Sequence, residues 1–109
     1  MNHEQNQALI DQLIRCAIEC NHCMISCLEE KDVKAMKRCI KLDIDCAEVC
    51  QVTASLLSRG SEVSEKMLAA CAEICNACAD ECGKHSQMDH CKRCADVCRQ
   101  CAEECSALV

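Results

Sequence analysis

The 109-residue chain has no Phe, Trp, Tyr or Pro, and only two glycines, Gly60 and Gly83. Without aromatic rings it has nothing to stack on bases, and its formal net charge of -6 repels phosphate, so nucleic acid is not an expected partner. The missing Pro and scarce Gly argue against the loop-rich frame of a small disulfide-stapled domain. No apolar run approaches membrane-spanning length. Residues 1–7 show neither a basic n-region nor an apolar h-region, and no twin-arginine pair precedes the first helix, so the expectation is a cytoplasmic protein with reduced thiols.

What fills the apolar half of the composition is cysteine, 16 residues in all. Cys91, Cys94, Cys98, Cys101 and Cys105 follow one another at steps of three and four, which on an α-helix places them on a single stripe where a bundle would carry Leu and Ile. The pattern recurs at Cys16, Cys20, Cys23 and Cys27, at Cys71, Cys75, Cys78 and Cys82, and more thinly at Cys39, Cys46 and Cys50. Every cysteine belongs to one of these four seams. Free Cys can serve as a small buried hydrophobe, but 16 on four seams is a poor way to build a core that Leu or Ile would fill better.

The seams predict helices over about 3–30, 33–59, 62–82 and 87–107, a single metal-binding domain spanning 1–109. Asp32 is placed to cap the second helix and Gly60 to stop it. Ser61 would cap the third, Gly83 would stop it, and Ser86 or Asp89 would cap the fourth. Short connections favour an all-α, antiparallel up-down-up-down four-helix bundle with a cysteine-lined core. That topology gathers Cys27, Met36, Cys39, Cys82, His85, Met88, His90 and Cys91 at one end, and Leu9, Leu13, Leu57, Leu68 and Leu108 as an aliphatic plug at the other. Off the seams, Ile10, Ile14, Ile18, Ile25, Ile40, Ile44, Val49 and Val52 either flank the core or form a subunit interface.

Residues three or four apart on a helix can converge on one ion without backbone distortion. Thiolates are soft ligands suited to Cu(I), zinc and iron-sulfur clusters. Structural zinc sites are isolated tetrahedral quartets, whereas this ladder is continuous, a pattern that suits Cu(I) ions shared along it at roughly one per thiolate. A monovalent ion replacing each thiol proton leaves the buried charge unchanged, and divalent ions at that density would not. His85 and His90 are either solvated loop residues or ligands at the mouth, and Met36 either fills the core or offers a thioether. Met88 leans towards filler or surface, and His3 and His22 fall off the seam, towards solvent. Asp43, among the thiols of helix 2, is a ligand, a hydrogen-bond partner of thiols, or is exposed by a small helix rotation.

These runs, with Cys39-Ile40-Lys41-Leu42-Asp43 leading to Cys46 and Cys50, Glu81-Cys82-Gly83-Lys84-His85, and His90-Cys91, resemble the cytosolic copper storage proteins, often labelled ferredoxin-like, from about Leu9 to Ser106. The resemblance implies a homotetramer of bundles, each storing many Cu(I) ions through thiolate pairs, with access at the histidine end. It carries over the cysteines, Asp43, His85 and His90. A Cu(I) store needs no turnover chemistry, so no enzyme is expected; the expected partners are copper ions and a copper chaperone or chelator. The competing readings are a zinc or cadmium sequestering protein, an iron-sulfur carrier, whose Cys-Pro signature is missing, and a thiol redox enzyme, which would need one cysteine of distinctly depressed pKa.

Overall fold

The computed structural model describes residues 3–108, the side chains of His3 and Gln5 excepted, so the expectation of a solvated His3 lies outside the described residues. Four α-helices carry the chain: α1 (His3–Leu28), α2 (Lys37–Ser58), α3 (Ser64–Gly83) and α4 (Asp89–Ser106). They pack in a square in which the backbone of α1 runs beside α2 and α4, and that of α3 beside α2 and α4, while across the diagonals only side chains meet, in the middle of the bundle. Successive helices are antiparallel, and the bundle measures 45 × 17 × 17 Å.

The helices form because each carries apolar side chains at a 3–4 spacing, which leaves one face to bury. On α1 that face is Leu9, Leu13, Cys16, Cys20, Cys23 and Cys27, none more than 4 % exposed. The matching faces of the other three helices are equally buried, so every seam predicted from spacing points inward. Leu9, Leu13, Leu57 and Leu68 close one end as a plug. Leu108 does not join them: α4 stops at Ser106, and Leu108 lies beyond it on the surface, beside Ala8, Leu9, Glu104 and Ala107.

The connections depart from expectation in four places. Asp32 does act as a cap, accepting from the Ala35 amide at 3.3 Å, but the element it caps is a short 3-10 turn, Val33–Met36, that feeds into α2. Ser61 caps no helix; its hydroxyl accepts from Val63 N within the turn, and α3 starts at Ser64 with no side-chain cap. Gly83 is not a stop but the last helical residue, with ordinary φ, because the chain leaves α3 by a tight turn in which His85 N donates to Cys82 O. Neither Ser86 nor Asp89 caps α4, whose N-cap is Met88; Asp89 opens the first turn, where its charge suits the helix N-terminus.

The end of α2 is as predicted. Gly60, at φ 64°, follows the helix, Ser61 N donates to Leu56 O at 3.0 Å, and Gly60 N donates to Leu57 O at 3.1 Å. This is a Schellman motif, which satisfies carbonyls that the helix end would leave bare. Ile10, Ile40 and Val49 flank the core, while Ile14, Ile18, Ile25, Ile44 and Val52 are exposed.

Candidate metal centre

All 16 cysteines are free and 0 % exposed. Across the bundle they meet in pairs from facing helices. Cys39 and Cys82 stand 3.3 Å apart, Cys20 and Cys98 3.5 Å, Cys46 and Cys75 3.6 Å, Cys50 and Cys71 3.7 Å, and Cys16 and Cys98 3.7 Å. Along each helix the i, i+4 thiols are also neighbours, as in Cys94 to Cys98 at 3.8 Å and Cys23 to Cys27 at 3.8 Å. A metal–thiolate bond of about 2.3 Å puts the sulfurs of a tetrahedron about 3.8 Å apart, and two sulfurs on opposite sides of one ion about 4.6 Å apart. The packing has therefore already set the sulfurs at metal-bridging separations.

The quartets overlap. Cys16, Cys46, Cys50 and Cys75 lie within 4.8 Å of one another, as do Cys16, Cys20, Cys46 and Cys98, then Cys20, Cys78, Cys94 and Cys98, and then Cys50, Cys71, Cys75 and Cys101. Neighbouring groups share two members, so ions filling them would be linked by common thiolates, unlike the separate quartets of structural zinc sites.

At the mouth, Cys23, Cys27 and Cys91 are joined by His90, whose Nδ1 lies 3.4 Å from Cys91 Sγ, 3.7 Å from Cys23 Sγ and 3.9 Å from Cys27 Sγ. The other ring nitrogen, Nε2, lies 3.2 Å from Glu30 Oε1. The Glu30 carboxylate accepts a hydrogen bond from Nε2–H, which keeps the proton on that nitrogen and leaves the Nδ1 lone pair facing the thiols. His85 is placed differently: its Nε2 sits 3.3 Å from Glu81 Oε2, and it belongs with the carboxylate and not with the sulfurs. Glu81, nearly buried, also accepts from Arg38 Nη1 at 2.9 Å and Lys84 Nζ at 3.2 Å. Burial by itself would raise the Glu81 carboxyl, but the hydrogen bonds from Arg38, Lys84 and His85 outweigh it and hold it below the usual range.

Asp43 is fully buried, so it is not rotated to the surface. Its Oδ1 accepts from Cys78 at 3.2 Å, Cys94 at 3.4 Å and Cys82 at 3.6 Å, and its Oδ2 from Cys39 at 3.8 Å. Burial, then the negative charge available on Cys94, Cys78 and Cys39, pushes its carboxyl up to about 11, so without metal it is a neutral acid at pH 7. Burial likewise pushes Cys91 up to about 11, with the neighbouring Cys39 adding to it, and raises Cys27 for the same two reasons. Met36 is 1 % exposed, at the junction of the 3-10 turn and α2; Met88 is half-buried against the core, and His22 is exposed.

Two residues of the site, Glu81 and Glu30, have roles that the sequence analysis did not assign. Glu81 stands four residues before His85 and three before Lys84, a spacing that could have revealed its role. Glu30 is 60 residues from His90, and no local signal connects them.

A four-helix bundle whose core consists of reduced thiols at bridging distance defines a class, the multinuclear thiolate metal-binding proteins. Within it, the profile described as "Csp: Copper storage protein" matches residues 2–109, so the chain belongs to the copper storage protein family. It is 40 % identical over 89 residues to the uncharacterized cysteine-rich protein YhjQ of Bacillus subtilis (strain 168), covering 82 % of each chain. It is similar in structure to a cytosolic copper storage protein from Streptomyces lividans determined with five coppers, with a TM-score of 0.92 and 42 % identity over 96 % of this chain and 92 % of that one. It is also similar to the Cu(I)-bound copper storage protein BsCsp3, with a TM-score of 0.90 and 41 % identity over 94 % of this chain and 96 % of the other.

Proposed function

We propose that this chain stores Cu(I), holding many ions at once in the thiol tube and performing no turnover chemistry. The observation that carries the proposal is the overlap of the thiol quartets: a ligand set in which neighbours share members accommodates a chain of monovalent ions without isolating any of them. Each bound Cu(I) displaces one thiol proton, so the buried interior gains no net charge as it fills. The Cu(I)-bound and copper-loaded relatives support the same reading.

The assigned ligands are the 16 cysteines and His90, with residues 1–109 acting as one metal-binding domain. Asp43 would trade its proton for a metal when the thiols around it ionise, and Met36 would offer a thioether at the mouth. His85 has the role of a capture group that reaches the mouth only when it leaves Glu81. The protein would work in the cytoplasm, a reading supported by the description of the Streptomyces relative as cytosolic. No described helix is long and apolar enough to cross a membrane. Self-association as a tetramer, drawn from the family resemblance, would cover the exposed Ile14, Ile18 and Ile25 of α1 and Ile44 and Val52 of α2. A copper chaperone or small chelator would supply the metal.

The test is an anaerobic titration of the reduced protein with Cu(I) against a competing chelator, counting bound metal and reactive thiols together. Saturation at roughly one ion per thiolate is the expected result. Saturation at about four ions, with zinc displacing copper, would move the protein to the tetrahedral sequestering class.

A further inference from the structure

The charge of this acidic protein is unevenly spread. Eight of its 12 Lys and Arg fall in residues 29–41 and 81–93, the two connections at the thiol mouth with the helix turns beside them, and only five of its 18 Asp and Glu do. Those two segments therefore carry a formal charge of +3 and the remainder of the chain -9, and the end stays positive when Glu19 and Asp96, which pair with Arg93 and Lys92, are counted with them. Arg38 and Lys84 are held by Glu81, Lys92 by Asp96 and Arg93 by Glu19. Lys31, Lys34, Lys37 and Lys41 are exposed and make no ion pair among the described residues.

Helix stability does not explain the lysines that open α2. Lys31 and Lys34 precede the helix, in the connection and the 3-10 turn, while Lys37 and Lys41, an i, i+4 pair, share one side of α2 at its N-terminal end, where the helix dipole is positive and cations are unfavourable. No acidic residue occupies the first turn of α2 to offset them. Lys34 lies two residues before Met36, and Lys37 and Lys41 flank Cys39, whose sulfur is 3.9 Å from Cys27 of the mouth quartet Cys23, Cys27, His90 and Cys91.

We propose that this basic collar receives Cu(I) as an anionic complex of low molecular mass, in which two thiolates of a small carrier hold one ion. The inference rests on the Cu(I)-storage reading and adds the chemical form of the substrate. A monovalent ion between two thiolates bears a net charge of -1 before any carboxylate of the carrier is counted, and Cu(I) favours such soft ligands. The acidic flanks repel this species and the collar attracts it, so encounters concentrate at the end where thiols can take the ion. Transfer is a ligand exchange with no change of oxidation state. Two bonds from copper to carrier sulfur break and two to cysteine sulfur form; because thiolates are shared between neighbouring ions in the filled tube, one cysteine proton per ion leaves on one carrier sulfur and the other carrier sulfur departs as a thiolate.

The test is stopped-flow loading of the reduced, metal-free full-length chain by two donors, the Cu(I)–glutathione complex, an anion, and Cu(I) tetrakis(acetonitrile), a cation. Each is run at low and high salt with the native chain and with K31E/K34E/K37E/K41E. The expected result is loading from the anion slowed by about 10-fold or more in the variant, with the salt dependence reversed in sign, and loading from the cation unchanged or faster. Equal slowing for both donors, or no slowing, overturns the proposal. The fourfold Lys→Gln variant, which removes charge without reversing it, gives a smaller change in the same direction and serves if the Glu variant folds poorly. Capacity at equilibrium is counted in the same samples. If the native chain itself fails to hold many Cu(I) ions the storage reading falls, whereas full capacity with donor-independent rates removes the collar alone.

Discussion

At the scale of single residues, the feature with the largest consequence is a carboxyl group among thiols. Asp43 has no compensating cation beside it; its contacts are four cysteine sulfurs, which can accept from the O–H of a neutral acid as well as donate to it, and burial away from any positive charge disfavours the carboxylate. The metal-free fold thus binds a proton at Asp43 up to about pH 11, while the unfolded chain releases it near 3.8. Between those values the native state carries one proton more, so stability declines as pH rises, by at most about 1.4 kcal/mol per unit. Asp43→Asn retains the shape and cannot ionise. Urea unfolding of the reduced apoprotein between pH 5 and 7.5 should show a falling midpoint for the native chain and a flatter one for the variant. Parallel profiles would show that Asp43 does not hold its proton. His90 illustrates the opposite arrangement, since a carboxylate on its far side fixes which nitrogen faces the sulfurs.

At the scale of the helix and its ends, the two glycines make a controlled pair. A methyl group added at either position meets nothing within 4 Å. Gly60 sits at φ 64°, where a side chain strains the backbone, and Gly83 has an ordinary helical φ. Gly60→Ala should therefore cost about 1 kcal/mol, and Gly83→Ala should be neutral or stabilise by up to about 1 kcal/mol, both read from denaturant midpoints at unchanged slope. Equal effects would mean that the Schellman turn is not what ends α2. The seams themselves were legible at this scale, because a step of three and four tolerates only one periodicity. The caps were not: Ser61, Ser86 and Asp89 have the right chemistry for an N-cap, and whether such a side chain folds back onto an amide depends on how the loop is pulled between two packed helices.

At the scale of the whole molecule, the bundle separates folding from cargo. The plug leucines, the buried alanines between the seams and the protonated thiols form a continuous core without metal, so the apoprotein should be helical and cooperative. Cu(I) binding the native state in preference to the unfolded one then raises the melting temperature with little change in helix content. Circular dichroism melts of apo and loaded protein check this. An apoprotein without helix would place the chain among domains that fold only around their metal.

The sequence by itself determined the four helices, the inward direction of every cysteine and the end at which soft ligands collect, since each follows from local periodicity joined by connections too short for anything but antiparallel neighbours. Tertiary structure decided the rest. Which sulfurs pair across the tube, that His90 and not His85 meets them, that Asp43 is buried and neutral, and that Leu108 lies outside the plug all depend on the rotation and stagger of one helix against the next. Those quantities arise from how side chains of all four helices fill the same space, and residue spacing along one helix carries no information about them.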